Sequence, residues 1–132
     1  MRLSEAIRLG AMMTSQAFQA LFTNDGACAL GAALLAIGAA PDQALHSALN
    51  RWPWAFTVSA NCPSCGRSRC VFEVITHLND AHRWTREQIA RWIAGIEPTD
   101  LFPRPPGGKM RAWRPSTVGG RARRAACEKF VA

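Results

Sequence analysis

Two cysteines and two histidines near the middle of the chain have the residue types and the spacing of a metal site. The segment reads CPSCGRSRCVFEVITHLNDAH, with two residues between the cysteines, eleven before the first histidine and four between the histidines. Finger-type zinc sites take two thiolates from a tight turn and two imidazoles from a following helix, with about twelve residues between the pairs. The sequence therefore predicts one structural zinc ion bound by Cys62, Cys65, His77 and His82.

The residues around these four suit a turn followed by a helix. Pro63 and Gly66 favour a tight turn, because glycine lets the backbone amides turn toward the sulfur atoms. Apolar residues then recur with helical spacing at Val71, Val74, Ile75 and Leu78. Histidines five residues apart lie about 140° apart on a regular helix. We therefore expect the helix to loosen near Asn79 and Asp80, so that both imidazoles reach one metal ion.

Two alternatives to this ligand set stay open. Cys70 could replace one of the histidines, although its position beside Arg69 favours a free thiol. The four residues could also be buried cysteines and surface histidines without a metal, but the close match in spacing favours zinc. The chain has five cysteines, an odd number, and its first residues, MRLSEAIRLGAMM, lack the apolar stretch of a secretory signal. Metal binding is therefore favoured over disulfides.

No group of residues in the sequence has the pattern of an enzyme active site. A zinc ion with four protein ligands has no open position for a catalytic water. The glutamate of the H-x-E pattern in zinc deaminases is missing, because Asn79 stands two residues after His77. His46 has no spaced carboxylate or nucleophile to act with it. We therefore predict a non-enzymatic protein with no small-molecule substrate.

The first fifty residues predict three helices. The first begins near Leu3, and its apolar spacing could continue toward Phe22. A turn is expected at 23–26, where Thr, Asn, Asp and Gly follow one another. The second helix, about Ala27 to Gly38, is rich in small residues, so a neighbouring helix can approach it closely. The third covers about 42–50 and completes an N-terminal helical part.

The next fifty residues predict the metal unit and one further helix. Alternating residues at 56–60 give a weak strand signal. Thr85 and Gln88 have the spacing of a capping box, so a helix should begin there. We expect it to support the zinc site through Trp84 and Trp92. The fold class is therefore mostly α, with α+β as the alternative. The predicted parts are a helical part at 1–51, a zinc-finger-like unit with its following helix at 52–102, and a basic Pro/Gly-rich tail at 103–132.

The net charge of +7 comes from the C-terminal segment. Residues 1–103 carry eight arginines and eight acidic residues, whereas residues 104–132 carry eight basic residues and Glu128 as their one acid. Arginines that contact phosphates and a tryptophan that stacks on a base suit nucleic acid. The candidate contacts are Arg111, Trp113, Arg114, Arg121, Arg123 and Arg124. The alternative is a solubilising tail in a chain that uses arginine far more than lysine.

Other patterns that could indicate DNA recognition are weaker. The segment TREQIARWI is similar to the first helix of a helix-turn-helix, but Pro98 and a proline-rich segment follow it in place of a second polar helix. The helix after the cysteines begins with Val71 and Phe72, which suit protein packing better than base reading. Arg67 and Arg69 could touch phosphate, but a solvated loop is the preferred interpretation.

Four segments outside the tail are informative together: LSEAIRLGAM, GACALGAALLAIG, CPSCG and HLNDAHRWTREQIARWI. In this combination they resemble a group of small, uncharacterised bacteriophage and prophage proteins. The resemblance covers about residues 1–97 and leaves the basic tail outside. It implies a phage-like context and supports the Cys-Cys-His-His pairing. It carries over no activity, no partner and no catalytic residue.

These observations predict a phage-type regulator or adaptor that binds nucleic acid, or a nucleic-acid-bound protein complex, through its basic tail. In the alternative, the body docks on a host protein complex of the transcription or defence machinery, through Trp52 and Trp54. The longest apolar run, Ala27 to Ala40, is shorter than the roughly 20 residues that cross a bilayer, so no membrane partner is expected. We expect a cytoplasmic location, in the host cell if a phage encodes the protein.

Overall fold

The computed structural model describes residues 1–98, and about half of these residues are helical. The α-helices and strands of this part are α1 (Leu3–Ala11), β1 (Ser15–Gln16), β2 (Gly26–Ala27), α2 (Ala29–Ala36), α3 (Ala44–Arg51), α4 (Trp54–Thr57), β3 (Ser59–Asn61), β4 (Ser68–Cys70), α5 (Val71–Asp80) and α6 (Arg86–Ala94). The strands form two small sheets, β1 with β2 and β3 with β4. These elements agree with the predicted mostly α or α+β class.

The first two helices cross where there is no room for a side chain. Leu3 and Ile7 on α1 are almost fully buried, as their helical spacing predicts. A Cβ atom on Gly10 would lie 1.8 Å from the carbonyl oxygen of Ala32 on α2. Glycine at this position lets the two backbones touch, so the close approach that the small residues predict is present.

The first helix ends at Ala11, so the prediction that it continues toward Phe22 is wrong. Carbonyl groups at the end of a helix lack partners within it. The guanidinium group of Arg86 donates hydrogen bonds to the carbonyl oxygens of Ala11, at 3.2 Å, and of Thr14. A residue far away in the sequence therefore fixes the end of α1, and the chain continues as β1, which pairs in parallel with β2.

The predicted turn at 23–26 is confirmed, since the N–H of Thr23 donates to the carbonyl oxygen of Gly26 at 2.8 Å. Cys28 is the N-cap of α2, which begins at Ala29. A single 3₁₀ turn then leads into α3. Within residues 1–98, no helix is long and apolar enough to cross a membrane.

The chain between α3 and the metal unit differs from its prediction. Phe56 lies in α4 rather than in a strand, and β3 begins only at Ser59. Phe56 stacks on Phe72 with ring centroids 4.4 Å apart, so burial of its ring decides the local structure. Trp52 is 4% exposed, and its indole Nε1 donates to the carbonyl oxygen of Met1 at 3.2 Å. The predicted exposure of Trp52 as a docking residue is therefore wrong.

The predicted capping box at the start of α6 is confirmed. Thr85 Oγ1 accepts from the N–H of Gln88 at 3.1 Å, and Gln88 Oε1 accepts from the N–H of Thr85 at 2.8 Å. Ile89 and Ile93 on α6 are fully buried. They belong to the same hydrophobic core as the buried residues of α1, α2 and α5.

Candidate metal site

The β3–β4 hairpin holds the two cysteines in a tight turn. The N–H of Cys62 donates to the carbonyl oxygen of Arg67, and the N–H of Gly66 donates to the carbonyl oxygen of Cys62, both at 2.8 Å. Gly66 has a φ of +76°, in the left-handed region that glycine enters at little steric cost. The turn brings Cys65 back beside Cys62, as the spacing predicts.

The two histidines lie at the end of α5. His77 is in the helix, and His82 follows two residues after the helix ends at Asp80. The carbonyl oxygen of His77 accepts from the N–H of Ala81 at 2.9 Å and from the N–H of His82 at 3.3 Å. The second bond spans five residues instead of four, so the backbone widens there and His82 comes back toward the helix end. The loosening predicted at Asn79 and Asp80 is therefore displaced, because both residues stay helical.

Asn79 keeps the helix regular because its side chain is bound inside the protein. It is fully buried. Its Oδ1 accepts from Nε2 of Gln16 at 2.9 Å and from the N–H of Ala29 at 3.3 Å, and its Nδ2 donates to the carbonyl oxygen of Ala17 at 2.9 Å. Sequence reasoning missed this role by treating asparagine as a residue that permits irregular backbone. Its position four residues after Ile75, on the apolar face, was the available signal.

The four predicted ligands lie close enough together to hold a metal ion. One ligand atom from each of Cys62, Cys65, His77 and His82 lies within 4.8 Å of the other three. The Sγ of Cys65 is 3.3 Å from His77 Nε2, which is 3.0 Å from His82 Nε2. In tetrahedral zinc sites, with bonds of about 2.3 Å to sulfur and about 2.0 Å to nitrogen, such pairs are about 3.3 to 3.6 Å apart. The measured pairs are within a few tenths of an ångström of this spacing.

The chemistry of the converging atoms favours a cation between them. A thiolate sulfur and an unprotonated imidazole nitrogen each present a lone pair. The Nε2 of His77 faces two such atoms and has at most one proton to donate. A hydrogen bond from the backbone of Arg67, followed by those from His82 and His77, lowers the pKa of the Cys65 thiol to about 6. Cys65 is therefore mostly a thiolate at neutral pH, which is the form that binds metal.

The two cysteines of the site differ in exposure, and a third cysteine lies outside it. Cys65 is exposed, whereas Cys62 is 2% exposed. Cys70 is fully buried at the start of α5 and is disulfide-bonded. The alternative of Cys70 as a ligand and the prediction of a free thiol there are therefore both wrong, and at this cysteine the preference for metal binding over disulfides is wrong as well.

The first half of α5 lies inside the protein. Val71, Phe72, Glu73 and Ile75 are each at most 5% exposed. DNA-binding fingers read bases from the start and middle of this helix. The same positions are covered here, so the prediction that they pack within the protein is confirmed.

The segment after His82 folds back on the end of α5. The N–H of Trp84 donates to the carbonyl oxygen of Leu78 at 3.0 Å, and the carbonyl oxygen of Trp84 accepts from Nε2 of Gln16 at 2.8 Å. Trp84 and Trp92 are partly buried against the core. These backbone bonds of Trp84 hold the chain two residues after His82, and the supporting role of Trp84 and Trp92 stays a prediction.

The tail residues predicted to contact nucleic acid lie outside the described residues. They are Arg111, Trp113, Arg114, Arg121, Arg123 and Arg124. The chain matches no protein-family model, no curated protein and no solved structure. The resemblance of residues 1–97 to phage and prophage proteins therefore stays a resemblance, and the function has to be argued from the site and the charge of the chain.

Proposed function

We propose that the protein is a non-enzymatic regulator or adaptor that is stabilised by one zinc ion and binds nucleic acid through its basic tail. The observation that carries the proposal is the convergence of Cys62, Cys65, His77 and His82, whose ligand atoms lie within 4.8 Å of one another. Two thiolates and two imidazoles suit zinc, whereas magnesium and calcium take oxygen ligands.

Zinc in this site would serve folding. Four protein ligands fill a tetrahedral coordination sphere and leave no position for a catalytic water. The ligands come from the β3–β4 hairpin and from the end of α5, so one ion would cross-link two elements that meet at the edge of the core. Structural zinc supplies a large share of the folding free energy of small domains, which supports a metal-stabilised body.

The tail supports the nucleic-acid half of the proposal. Residues 104–132 carry eight basic residues and one acidic residue, whereas residues 1–103 are balanced. Basic side chains that neutralise phosphates release counterions from nucleic acid. Trp113, between Arg111 and Arg114, adds an aromatic ring that can stack on a base. The phage-type context rests on the resemblance of residues 1–97 alone, and the cytoplasmic location stays a prediction from the sequence.

Docking on a host protein through tryptophans has less support. Trp52 is 4% exposed, and Trp54 is partly buried against the core. A hot-spot tryptophan has to be available to the partner before binding. The body therefore offers little of the surface on which this alternative depends.

The proposal is tested with the full-length protein and labelled duplex DNA in a salt series. We expect the replacement of Arg121, Arg123 and Arg124 by glutamine to weaken binding. Each lost phosphate contact should lower the slope of log affinity against log salt by about 0.9. Zinc content is measured on the same samples, and one equivalent per chain is expected.

The matched control replaces three exposed arginines of the body, Arg8, Arg51 and Arg91, by glutamine. It removes the same charge from α1, α3 and α6, and we expect a much smaller loss of affinity. Equal losses in the two triple variants would contradict the tail as the binding element. Protein that folds without zinc and keeps its Tm after chelation would contradict the structural metal.

A further inference from the structure

We infer that the metal end of the body is a second contact with nucleic acid, in which Arg67 and Arg83 bind the phosphate backbone. The inference rests on the proposed function and adds a binding surface on the body to the tail. This knuckle surface is formed by Arg67 at the cysteine turn, the half-exposed Arg69 on β4 and Arg83 beside His82. It revises the interpretation of Arg67 and Arg69 as parts of a solvated loop.

Several arginines of the described body have their charge balanced or buried. Those that pair with a glutamate carboxylate, at 2.9 to 3.8 Å, are Arg2, Arg8 and Arg91. Arg86 is 8% exposed, and its guanidinium group donates to backbone carbonyl oxygens of Ser15, Ala27 and Ala11. These groups are paired or buried within the body and so leave little positive charge for a partner.

The arginines of the knuckle surface form no ion pair with any of residues 1–98. Arg67 lies two residues after the ligand Cys65, and Arg83 directly follows the ligand His82. Both are exposed. Consecutive Cα atoms are about 3.8 Å apart, and the ligand atoms themselves lie within 4.8 Å of one another. The two arginines are therefore at the same end of the molecule.

The charge at this end stays positive after metal binding. Two thiolates balance the charge of a zinc ion, and neutral imidazoles add none. Asp80 lies between the two histidines in sequence, and its Oδ1 accepts from the N–H of Gln19 at 2.9 Å and from Nδ2 of Asn79 at 2.8 Å. The carboxylate of Asp80 is therefore already hydrogen-bonded within the body, while Arg67 and Arg83 are exposed beside the ligands. A polyanion complements such a surface.

Arg83 has a backbone conformation that favours a functional explanation. Its φ is +54°, in the left-handed region that costs most residues free energy and that glycine and asparagine enter more easily. Its guanidinium carbon lies 4.1 Å from the centre of the Phe18 ring, so the ring fixes the direction of the side chain. Strained residues cluster at functional sites. An exposed, oriented guanidinium group matches the bidentate geometry of a phosphate.

The burial of α5 decides which part of a nucleic acid this surface can bind. Val71, Phe72 and Ile75 cannot reach base edges, because they lie in the core. Contacts to phosphates position a protein without reading sequence. The knuckle surface should therefore strengthen binding to any duplex by the same factor.

The test uses full-length, zinc-loaded protein with Arg67→Gln and Arg83→Asn together, and labelled duplex DNA of mixed sequence. Asparagine tolerates the left-handed conformation, so the charge is removed without added strain. We expect the salt slope to fall by about 1.8 and the affinity at 0.1 M salt to fall at least about tenfold. The matched control, Arg51→Gln with Arg91→Gln, removes the same formal charge from α3 and α6. It should change the affinity less than threefold, because salt screens charges that do not contact the DNA.

Zinc content and Tm are measured for every variant, and Arg67→Lys, which keeps the charge, should keep most of the affinity. If the double variant loses zinc, Arg67→Gln and Arg83→Asn are tested separately. Each should then lower the slope of log affinity against log salt by about 0.9. If the knuckle and control variants change the DNA affinity equally, the inference is overturned. The result for the tail variants, and with it the proposed function, is unaffected by that outcome. Absence of DNA binding by the unmodified protein would overturn both. Displacement of the DNA by polyglutamate at equal charge concentration would assign the surface to acidic proteins and overturn the nucleic-acid contact.

Discussion

The thiols of Cys65 and Cys28 show how the surroundings of a cysteine decide its role. Cys65 lies on an exposed turn, where a backbone hydrogen bond from Arg67 and two imidazoles lower its pKa to about 6. Cys28 lies at the start of α2, where burial raises the pKa of its thiol. Its sulfur accepts from the N–H of Gly31 at 3.4 Å. The first thiol is suited to bind metal, and the second acts as a neutral helix cap.

This contrast predicts opposite results for the same substitution at the two positions. Cys65→Ser removes one of the four proposed zinc ligands, so we expect loss of bound zinc and a fall in Tm of more than about 10 °C. Cys28→Ser places a preferred N-cap residue at the start of α2, so zinc should stay bound and the Tm should change by only about 5 °C or less. Metal analysis and thermal unfolding of the two variants check this. Equal Tm values for Cys65→Ser and the unmodified protein would exclude a structural metal.

Among the elements, α1 and α2 depend on a backbone contact that a single methyl group would break. The Cβ of an alanine at position 10 would lie 1.8 Å from the carbonyl oxygen of Ala32. At Gly95, at the end of α6, the nearest atom to an added Cβ is the carbonyl oxygen of Trp92 at 3.4 Å, and φ is −80°. A glycine-to-alanine substitution adds the same methyl group at both positions, but only Gly95 has room for it.

Gly10→Ala should lower the free energy of unfolding by about 3 kcal/mol, because the helices have to separate. The direction is informative, since alanine inside a helix gains about 1 kcal/mol over glycine when space allows. Gly95→Ala serves as the control and should change the stability by less than about 1 kcal/mol. Urea unfolding of both variants measures the difference. An unchanged or raised stability of Gly10→Ala would show that the crossing is looser than described.

Elements with local signals were predictable from the sequence, and those fixed by distant residues were not. The apolar stripe of α5 and the capping box of Thr85 and Gln88 lie within one element, so periodicity and caps indicate both. The end of α1 depends on Arg86, which contacts a carbonyl group 75 residues earlier in the chain. The burial of Trp52 likewise depends on Met1, 51 residues away. Only tertiary contacts could reveal these two features.

The candidate site shows the same division. The type and spacing of the four ligands are local properties of one segment, so the sequence was sufficient to predict which atoms would converge. The position of the bend before His82 was not predictable, because it depends on the hydrogen bonds that hold Asn79 in the core. Whether Cys70 joins the site was not predictable from spacing either, because this cysteine is disulfide-bonded.

In the whole molecule, the metal unit and the N-terminal helices meet at residues between the two histidine ligands. Asn79 donates to the carbonyl oxygen of Ala17 at 2.9 Å, and Asp80 accepts from the N–H of Gln19 at 2.9 Å. A metal ion that fixes this end of α5 would therefore also stabilise the 15–29 segment and the start of α2. The predicted boundary between 1–51 and 52–102 stays a prediction, and the response to metal removal tests it.

We expect a chelator to destabilise both parts in a single transition. Val74, Ile75 and Leu78 of α5 are fully buried in the core shared with α1 and α2, so loosening α5 at its ligand end removes support from all of these helices. Far-UV circular dichroism and tryptophan fluorescence should report the same Tm, lowered by more than about 10 °C after chelation. Cys65→Ser is the control, because a variant without the site should not respond to the chelator. Two separate transitions, with the N-terminal helices unaffected, would instead support independent domains and limit the role of zinc to the finger-like unit.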